Sequence, residues 1–223
     1  MIKFPMVVLY GGSFDPVHLG HEHIVRAVSE QLIPQKIHII PCHVPPHKTR
    51  LHVDNHHRLG MLHKAFDETS TNLFIDTGEM ASQSVSYTVD TVTRLRHELG
   101  EEVSLSFVIG EDSWLNFSRW YRWRDILNTV NLVVVTRRGD WQAKIDDDDG
   151  KALREYRDAH EVPLATLDVY AKGKIAKLPM MAIDIASNTI RDRIAKGLNI
   201  DEMVSPSVAS YIQEYDLYRQ DLA

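Results

Sequence analysis

The sequence has few of the features that mark secreted, membrane-bound or nucleic-acid-binding proteins. It contains a single cysteine, Cys42, so no internal disulfide can form, and this usage fits a reducing cytoplasm. No apolar run approaches the roughly 18 residues of a membrane span, and the apolar run near the N-terminus is too short for a signal peptide. The formal net charge of −6 argues against general nucleic-acid binding, although a phosphate site needs only local positive groups.

Strand and helix patterns alternate along the 223 residues, of which 43% are hydrophobic. This length suits one α/β domain over 1–223 with insertions. Apolar runs predict strands at 6–10, 36–40, 73–76, 103–109, 131–136 and 178–185. Apolar residues three or four apart predict helices between them, as at Ile24, Val28 and Leu32, at Val89, Val92, Leu95 and Leu99, and at Ile190, Ile194 and Leu198. This alternation predicts a mostly parallel sheet flanked by helices, with ligands beyond the carboxyl ends of the strands.

Two polar regions interrupt this alternation and are read as insertions. Residues 41–57, with three prolines and five histidines, are expected to form a long loop. Residues 139–162 contain four consecutive aspartates at 146–149 and a polar helical stretch. The aspartates could form a metal site, but adjacent carboxylates repel one another and are usually solvated, so the solvated interpretation is favoured.

The segment at 11–21 carries the strongest functional signal. It reads Gly-Gly-Ser-Phe-Asp-Pro-Val-His-Leu-Gly-His and directly follows the first predicted strand. If a helix begins near Leu19, the side chains of His18 and His21 lie one turn apart and point the same way. Glycines allow close approach of a ligand, a helix start offers unpaired N–H groups, and imidazoles can donate to phosphate oxygens. The spacing matches no common zinc motif, because Glu22 and His23 complete no ligand set.

A second phosphate-binding pattern lies near the C-terminus, where residues 185–191 read Ile-Ala-Ser-Asn-Thr-Ile-Arg. Ser187 or Asn188 is a plausible N-cap, which would bring free N–H groups, hydroxyls and Arg191 together. Taken alone this signal is weak, since many helices begin in this way.

Together these segments resemble the signature of the nucleotidyltransferase superfamily, which has Gly-Ser/Thr-Phe-Asp-Pro, then His-x-Gly-His or Thr-x-Gly-His, and later Ile-Ser-Ser-Thr-x-Ile-Arg. Ala186 and Asn188 depart from the last motif. Four further segments follow the pattern of bacterial nicotinate mononucleotide adenylyltransferases; they are Pro-Pro-His-Lys at 45–48, Ser-Tyr-Thr-Val-Asp-Thr at 86–91, Gly-Glu-Asp-Ser at 110–113 and Trp-Tyr at 120–121. The resemblance extends over about residues 5–218 and implies a Rossmann-like nucleotidyltransferase fold.

The resemblance also implies roles for individual residues. His18, His21 and Arg191 would be catalytic, with the histidines on the ATP phosphates and Arg191, together with Ser187, on the departing pyrophosphate side. The nucleotide would further contact the backbone of Gly11, Gly12, Ser13 and Phe14, as well as Lys48 and Asp112. The nicotinate group would meet the backbone N–H groups of Tyr87 and Thr88 and the rings of Trp120 and Tyr121. Mg²⁺ would be carried mainly by the ATP phosphates, with no protein ligands.

The function expected from this resemblance is transfer of the adenylyl group of ATP to nicotinate mononucleotide, giving deamido-NAD and pyrophosphate. Two alternatives stay open at this point. One is another transferase of the superfamily, such as a cytidylyltransferase. The other is a non-catalytic nucleotide-binding protein, against which the presence of His18, His21 and Arg191 argues.

Overall fold

Six parallel strands form the centre of the structure, a computed structural model that describes residues 2–43, 51–66, 72–81, 85–136, 148–181 and 183–219. The strands are β1 (Met6–Gly12), β2 (Lys36–Pro41), β3 (Leu73–Ile75), β4 (Ser104–Gly110), β5 (Asn131–Thr136) and β6 (Ile175–Pro179). The helices are α1 (Leu19–Leu32), α2 (Asn55–Phe66), α3 (Thr88–Leu99), α4 (Glu111–Leu115), α5 (Trp123–Thr129), α6 (Asp148–His160), α7 (Ser187–Ala195) and α8 (Pro206–Glu214), with short 3-10 helices at Phe117–Arg119 and Leu164–Val169. The expectation of a parallel sheet flanked by helices is confirmed.

The strand order places a crevice next to β1. The order is β3-β2-β1-β4-β5-β6, so the chain moves in opposite directions across the sheet on either side of β1 and β4. These two strands pair in parallel, with Tyr10 beside Val108. In open α/β sheets, ligands bind outside the carboxyl ends of the strands where the order reverses. The turn after β1 therefore lies at the expected ligand position.

Alternating side chains of the strands bury both faces of the sheet. On one face, Val8, Ile39 and Val133 join a core with α1, α2 and α8. On the other, Leu9, Phe107 and Val134 pack with α3, α5 and Leu153 of α6. Successive side chains of a strand point to opposite faces, and here both faces are buried. The strand sequences are therefore almost continuously hydrophobic. None of the helices in the described ranges combines the length and apolarity needed to cross a membrane.

Five of the six predicted strands are confirmed to within two residues at each end, but the sixth is wrong. The run at 178–185 was expected to be a strand, whereas β6 spans Ile175–Pro179. Pairing with β5 decides this position, because Leu132 lies beside Ile175 and Thr136, the last residue of β5, lies beside Pro179. The N–H of Met180 still donates to the carbonyl of Thr136 at 3.2 Å, but the described pairing of β6 ends at Pro179.

The two insertions are only partly contained in the described ranges. Lys48 and the rest of 44–50 lie outside them, as do residues 137–147. The loop expected over 41–57 is shorter at both ends, since Pro41 belongs to β2 and residues 55–57 form the first turn of α2. In the second region the polar helical stretch is confirmed as α6, which begins with the exposed residues Asp148 and Asp149.

A fully buried arginine joins α2 to the ends of two central strands. Arg58 has no exposed surface. Its Nη1 donates to the carbonyl of Ser13 at 2.7 Å, and its Nη2 donates to the carbonyl of Cys42 at 2.6 Å and to Oδ1 of Asn55 at 2.6 Å. Burial lowers the pKa of the guanidinium. Two of these short bonds satisfy carbonyls that the turns after β1 and β2 leave without strand partners, and the third ties the guanidinium to its own helix.

Replacing Arg58 should therefore destabilise the fold strongly. We expect Arg58→Met to lower the free energy of unfolding by about 3–5 kcal/mol, because buried acceptors lose a charged donor. Arg58→Lys should recover only part of this loss, since an ammonium group lacks the planar fork. Urea unfolding followed by circular dichroism measures the effect. Arg219→Ala, at an exposed arginine paired with Asp216, serves as control and should cost little stability. A loss in Arg58→Met as small as that of the control would contradict the structural role of Arg58.

Candidate active site

The turn after β1 is shaped by contacts between its glycines and two phenylalanine rings. A Cβ atom on Gly11 would lie 3.4 Å from the ring of Phe107, and one on Gly12 would lie 3.1 Å from the ring of Phe14. Phe14 has a left-handed backbone, with φ of 47°, and its side chain is completely buried. Its ring packs 5.8 Å from Tyr10 and 4.9 Å from His21, measured between ring centroids. Phe14 therefore supports one of the two motif histidines.

His18 and His21 lie side by side at the start of α1, as the sequence predicts. Their ring centroids are 3.7 Å apart and their planes meet at 30°. His18 is the N-cap residue, with an extended backbone, and its N–H donates to Nδ1 of His21 at 3.2 Å. Because Nδ1 of His21 accepts a bond, the proton of the neutral ring lies on Nε2. His21 thus presents an N–H donor on the side away from the backbone.

Burial keeps both imidazoles neutral in the free protein. His18 is 7% exposed, and desolvation lowers its pKa to about 4. The pKa of His21 is also held well below its usual value, first by burial and then by the neighbouring His18. In the described part of the chain, Nδ1 of His18 is buried and has no hydrogen-bond partner. Buried polar atoms without partners are uncommon and often mark functional positions.

The glycine between the histidines leaves room for the first ring. A Cβ atom on Gly20 would lie 3.0 Å from Nδ1 and 3.1 Å from Cε1 of His18. Contacts this short force the neighbouring group to shift. A glycine at position 20 is therefore favoured on steric grounds, since a side chain there would push against the imidazole of His18.

The backbone at the start of α1 offers less to an anion than the sequence suggested. The N–H of Leu19 donates to the carbonyl of Met203 at 2.9 Å, and the N–H of His21 donates to the carbonyl of His18 at 2.8 Å. Two of the N–H groups expected to be unpaired here are therefore already used, one by the segment after α7 and one by the turn itself. The imidazoles are further donors beside this turn.

Asp15, three residues before His18, is fully buried and lies at the centre of a hydrogen-bond network. Its Oδ1 accepts from the hydroxyl of Tyr218 at 3.0 Å, and its Oδ2 accepts from the N–H of His52 at 2.9 Å and contacts Nδ1 of His52 at 3.0 Å. Burial and then the charge of Asp15 raise the pKa of Tyr218. The network fixes the cis Asp15–Pro16 segment between the C-terminal region and the residues just before α2.

Both residues predicted on α7 contact the same segment through its main chain. Nη1 of Arg191 donates to the carbonyl of Asp15 at 2.5 Å, and Oγ of Ser187 donates to the carbonyl of Pro16 at 3.0 Å. The predicted N-cap is wrong by one residue or more, because Ala186 is the cap and Ser187 is the first helical residue. The hydroxyl of Ser187 bonds to the turn rather than to its own helix.

The residues expected at the nicotinate group come together on the other side of β1. Tyr87 is the N-cap of α3 and Thr88 its first residue, and no side chain caps this helix start in the described ranges. The rings of Tyr87 and Tyr121 are 4.7 Å apart. Trp120 packs 5.1 Å from Phe117 and 6.3 Å from Phe107, whose ring also contacts the Gly11 position. Phe107 thus links Trp120 to the glycines at the end of β1.

The remaining predicted residues lie apart from these clusters or outside the described ranges. Asp112 is exposed in α4, directly after Gly110 at the carboxyl end of β4. Lys48 lies outside the described residues. Across the described ranges, no three His, Cys, Asp or Glu side chains are grouped as a metal site. Both carboxylate oxygens of the buried Asp15 are already bonded to the protein.

Three residues of the site were missed from the sequence. Arg58, His52 and Tyr218 all bind the turn at 13–16, yet they lie far from it along the chain. A histidine in a polar loop, an arginine in a helix and a tyrosine near the end carry no local signal. Only the need of a fully buried Asp15 for partners could have pointed to such residues.

Comparison with known proteins places these features in a family context. A family model described as cytidylyltransferase-like matches residues 9–193. The chain is 37% identical over 213 residues to a probable nicotinate-nucleotide adenylyltransferase of Saccharophagus degradans, with 95% of each chain covered. It is 35% identical over 215 residues to a protein of the same name from Cellvibrio japonicus, with 96% of this chain and 99% of that one covered.

Solved structures show the same fold. A nicotinic acid mononucleotide adenylyltransferase of Plasmodium falciparum, complexed with NaAD, superposes with a TM-score of 0.72 at 20% identity, covering 98% of this chain and 99% of that chain. The same enzyme complexed with APC gives a TM-score of 0.70 at 20% identity and covers the whole of both chains.

The buried histidines should make stability depend on pH in a defined direction. The unfolded chain takes up protons near pH 6.5, whereas His18 takes one up only near pH 4 when folded. Stability should therefore fall as the pH drops through this window, by on the order of 3 kcal/mol for His18. Urea unfolding at several pH values should show a smaller fall for His18→Asn. The control His97→Asn, at an exposed position, should follow the wild type, and equal slopes in all three would contradict the burial argument.

Proposed function

We infer the function of this chain from its family. The chain belongs to the cytidylyltransferase-like family and, within it, to the nicotinate-nucleotide adenylyltransferases. It transfers the adenylyl group of ATP to nicotinate mononucleotide and releases pyrophosphate, giving deamido-NAD. The observation that carries this function is the pair of adjacent, neutral imidazoles beside the β1 turn, at the reversal point of the sheet. The named relatives favour this reading over the cytidylyltransferase alternative.

The reaction needs positioning more than acid–base chemistry. An oxygen of the acceptor's 5′-phosphate attacks the α-phosphorus of ATP, a new P–O bond forms, and the bond to the β-phosphate oxygen breaks in line with it. The attacking oxygen is already anionic, so no general base has to remove a proton. The protein's task is to align the two phosphates and to stabilise the charge that grows on the transferring group.

In this reading, His18 and His21 supply the hydrogen-bond donors for that charge. His21 can donate from Nε2 because its Nδ1 is occupied by the N–H of His18. Donors held in a partly dry site are worth more than donors in water, and these rings need not reorganise during the reaction. An arriving triphosphate also strengthens these hydrogen bonds, because an anionic oxygen is a stronger acceptor than a neutral one.

We assign one task to both Arg191 and Ser187, and a second task to Arg191. Each residue holds a main-chain carbonyl of the Asp15–Pro16 segment, so each fixes the turn that leads to the histidines. A guanidinium has five N–H donors, and the bond to Asp15 uses one atom of the group. The remaining donors of Arg191 are proposed to hold the departing pyrophosphate. Gly11, Gly12, Ser13 and Phe14 would contact the nucleotide through their backbone, and Lys48 and Asp112 are proposed as further contacts to it.

The nicotinate carboxylate would bind at the start of α3. This helix begins without a side-chain cap, and its first N–H groups and positive dipole end suit an anion. An amide would bring its own NH₂ donors against these N–H groups and would lose hydrogen bonds. Trp120 and Tyr121 would cover the pyridine ring, and stacking of this kind does not distinguish the acid from the amide.

Mg²⁺ is proposed to arrive with the triphosphate. The described residues form no cage for it, and Asp15 is sealed off by His52 and Tyr218. The ion commonly keeps several waters and relies on substrate phosphates, whose charge it neutralises.

A pyrophosphate-release assay tests the function directly. We expect turnover with ATP and nicotinate mononucleotide, much less with nicotinamide mononucleotide, and little with CTP in place of ATP. His21→Ala should lower kcat about 10²–10³-fold, because it removes a donor to the transition state. A preference for CTP or for the amide would contradict the assignment, and so would full activity in His21→Ala.

Gly20→Ala should separate stability from turnover. Alanine favours a helix over glycine by about 1 kcal/mol, which offsets the cost of moving the His18 ring, so the unfolding free energy should stay within about 1 kcal/mol of wild type. The displaced imidazole should nevertheless lower kcat about 10-fold or more. Urea unfolding and the same assay measure the two effects. Glu30→Ala, at an exposed position of α1, should change neither, and unchanged kcat in Gly20→Ala would refute the steric argument.

A further inference from the structure

Glu79 lies between β3 and α3 and bonds to both sides of the Tyr87–Thr88 segment. Oγ1 of Thr91 donates to Oε1 of Glu79 at 2.5 Å. The hydroxyl of Ser86 also hydrogen bonds to this carboxylate and, together with the Thr91 bond, favours its ionised form. Thr91 is 6% exposed and lies in the first turn of α3, while Ser86 precedes the N-cap. One side chain therefore bonds to the residues on either side of the helix start.

We propose that Glu79 is a positioning residue that fixes the start of α3, and thereby sets the preference for a nicotinate carboxylate over a nicotinamide group. This inference rests on the proposed function and adds a residue to its acceptor site. Glu79 does not touch the substrate. It acts through Ser86 and Thr91, which hold the backbone of Tyr87 and Thr88 in place.

The physical need for such an anchor comes from the way α3 begins. Helix starts are usually held by a capping side chain, and the N-cap here is Tyr87, which provides none. A site that separates a carboxylate from an amide by backbone donors works only if those N–H groups keep a fixed direction. If the helix start were loose, its N–H groups could turn and donate to the amide oxygen of nicotinamide. Discrimination between the acid and the amide therefore depends on a rigid helix start.

The anchor is itself tied to the neighbouring strand ends. Oγ of Ser86 accepts from the N–H of His43, just after β2, at 3.0 Å. Nδ1 of His43 lies 3.0 Å from Nδ2 of Asn55, whose Oδ1 accepts from Arg58. The hydroxyl of Ser86 thus interacts with the segment after β2 on one side and with Glu79 on the other.

The surrounding charges keep Glu79 at this position rather than in an ion pair. Arg94, the cation whose charge acts on Glu79, is bonded to both oxygens of Asp76 at 2.9 and 3.0 Å. Asp76 also accepts from the N–H of Gly78 at 2.9 Å and lies 3.5 Å from Nδ1 of His38. Burial, and then the charge of Asp76, raise the pKa of Glu79. With the arginine engaged by Asp76, the carboxylate of Glu79 is left to the two hydroxyls.

The test compares both mononucleotides in Glu79→Ala, Glu79→Gln and Thr91→Val, with Glu102→Ala at an exposed site as control. In Glu79→Ala we expect KM for nicotinate mononucleotide to rise about 10-fold or more and KM for ATP to change less than about 3-fold. The ratio of kcat/KM for acid over amide should fall about 10-fold. Glu79→Gln should recover part of the ratio because its carbonyl still accepts, and Thr91→Val should show a smaller fall.

Each outcome decides the proposal. An unchanged acid-to-amide ratio in Glu79→Ala would overturn the proposal. Equal rises in KM for both mononucleotides and ATP, with a lower melting temperature, would also overturn it, because Glu79 would then only stabilise the fold. If Glu79→Ala does not fold, Thr91→Val and Glu79→Gln carry the same test, and wild-type ratios in both would overturn it. A wild type without turnover on either mononucleotide would refute the proposed function, a result distinct from a normal wild type with insensitive variants.

Discussion

The buried guanidinium of Arg58 is the interaction on which the site depends. It holds the carbonyls of Ser13 and Cys42, which follow two adjacent central strands, and it reaches Asn55 in its own helix. A parallel sheet leaves such carbonyls unpaired where the strands end, and a buried carbonyl without a donor is costly. The same bonds set the path of the turn that carries Phe14, Asp15 and His18. The geometry of the histidines thus follows from a residue that meets no substrate in the proposed function.

The histidine pair shows how sterics and desolvation act together. Gly20 lets the ring of His18 approach the helix, Phe14 supports the ring of His21, and burial removes the charge from both. A charged pair at 3.7 Å would repel, so neutrality is what allows the stacking. The cost of keeping histidines uncharged near neutral pH is small, because their usual pKa lies close to 6.5. The arrangement is therefore stable without a ligand and becomes more favourable beside an anion.

Local signals predicted much of this fold, and tertiary contacts decided the rest. The strands over 6–10 and 131–136 and the helices with Val28 and Val92 follow from periodicity, because their apolar faces repeat at short range. The placement of His18 beside His21 follows from helical spacing. The position of β6 could not be predicted in this way, because its register belongs to β5. The bond of Arg58 to Ser13 and that of Ser187 to Pro16 join residues 45 and 171 positions apart, and no short window of sequence contains both partners.

The bond between Tyr218 and Asp15 joins residues that are 203 positions apart. During synthesis the ribosome delivers Asp15 early and Tyr218 only after every strand of the sheet has emerged. Until then the carboxylate lacks one of its hydroxyl donors, and a buried charge without its full set of partners is unfavourable. The turn that contains Asp15 therefore reaches its final form late in synthesis, after the sheet around it has formed. Assembly of this turn is in this way tied to synthesis of the segment that carries Tyr218.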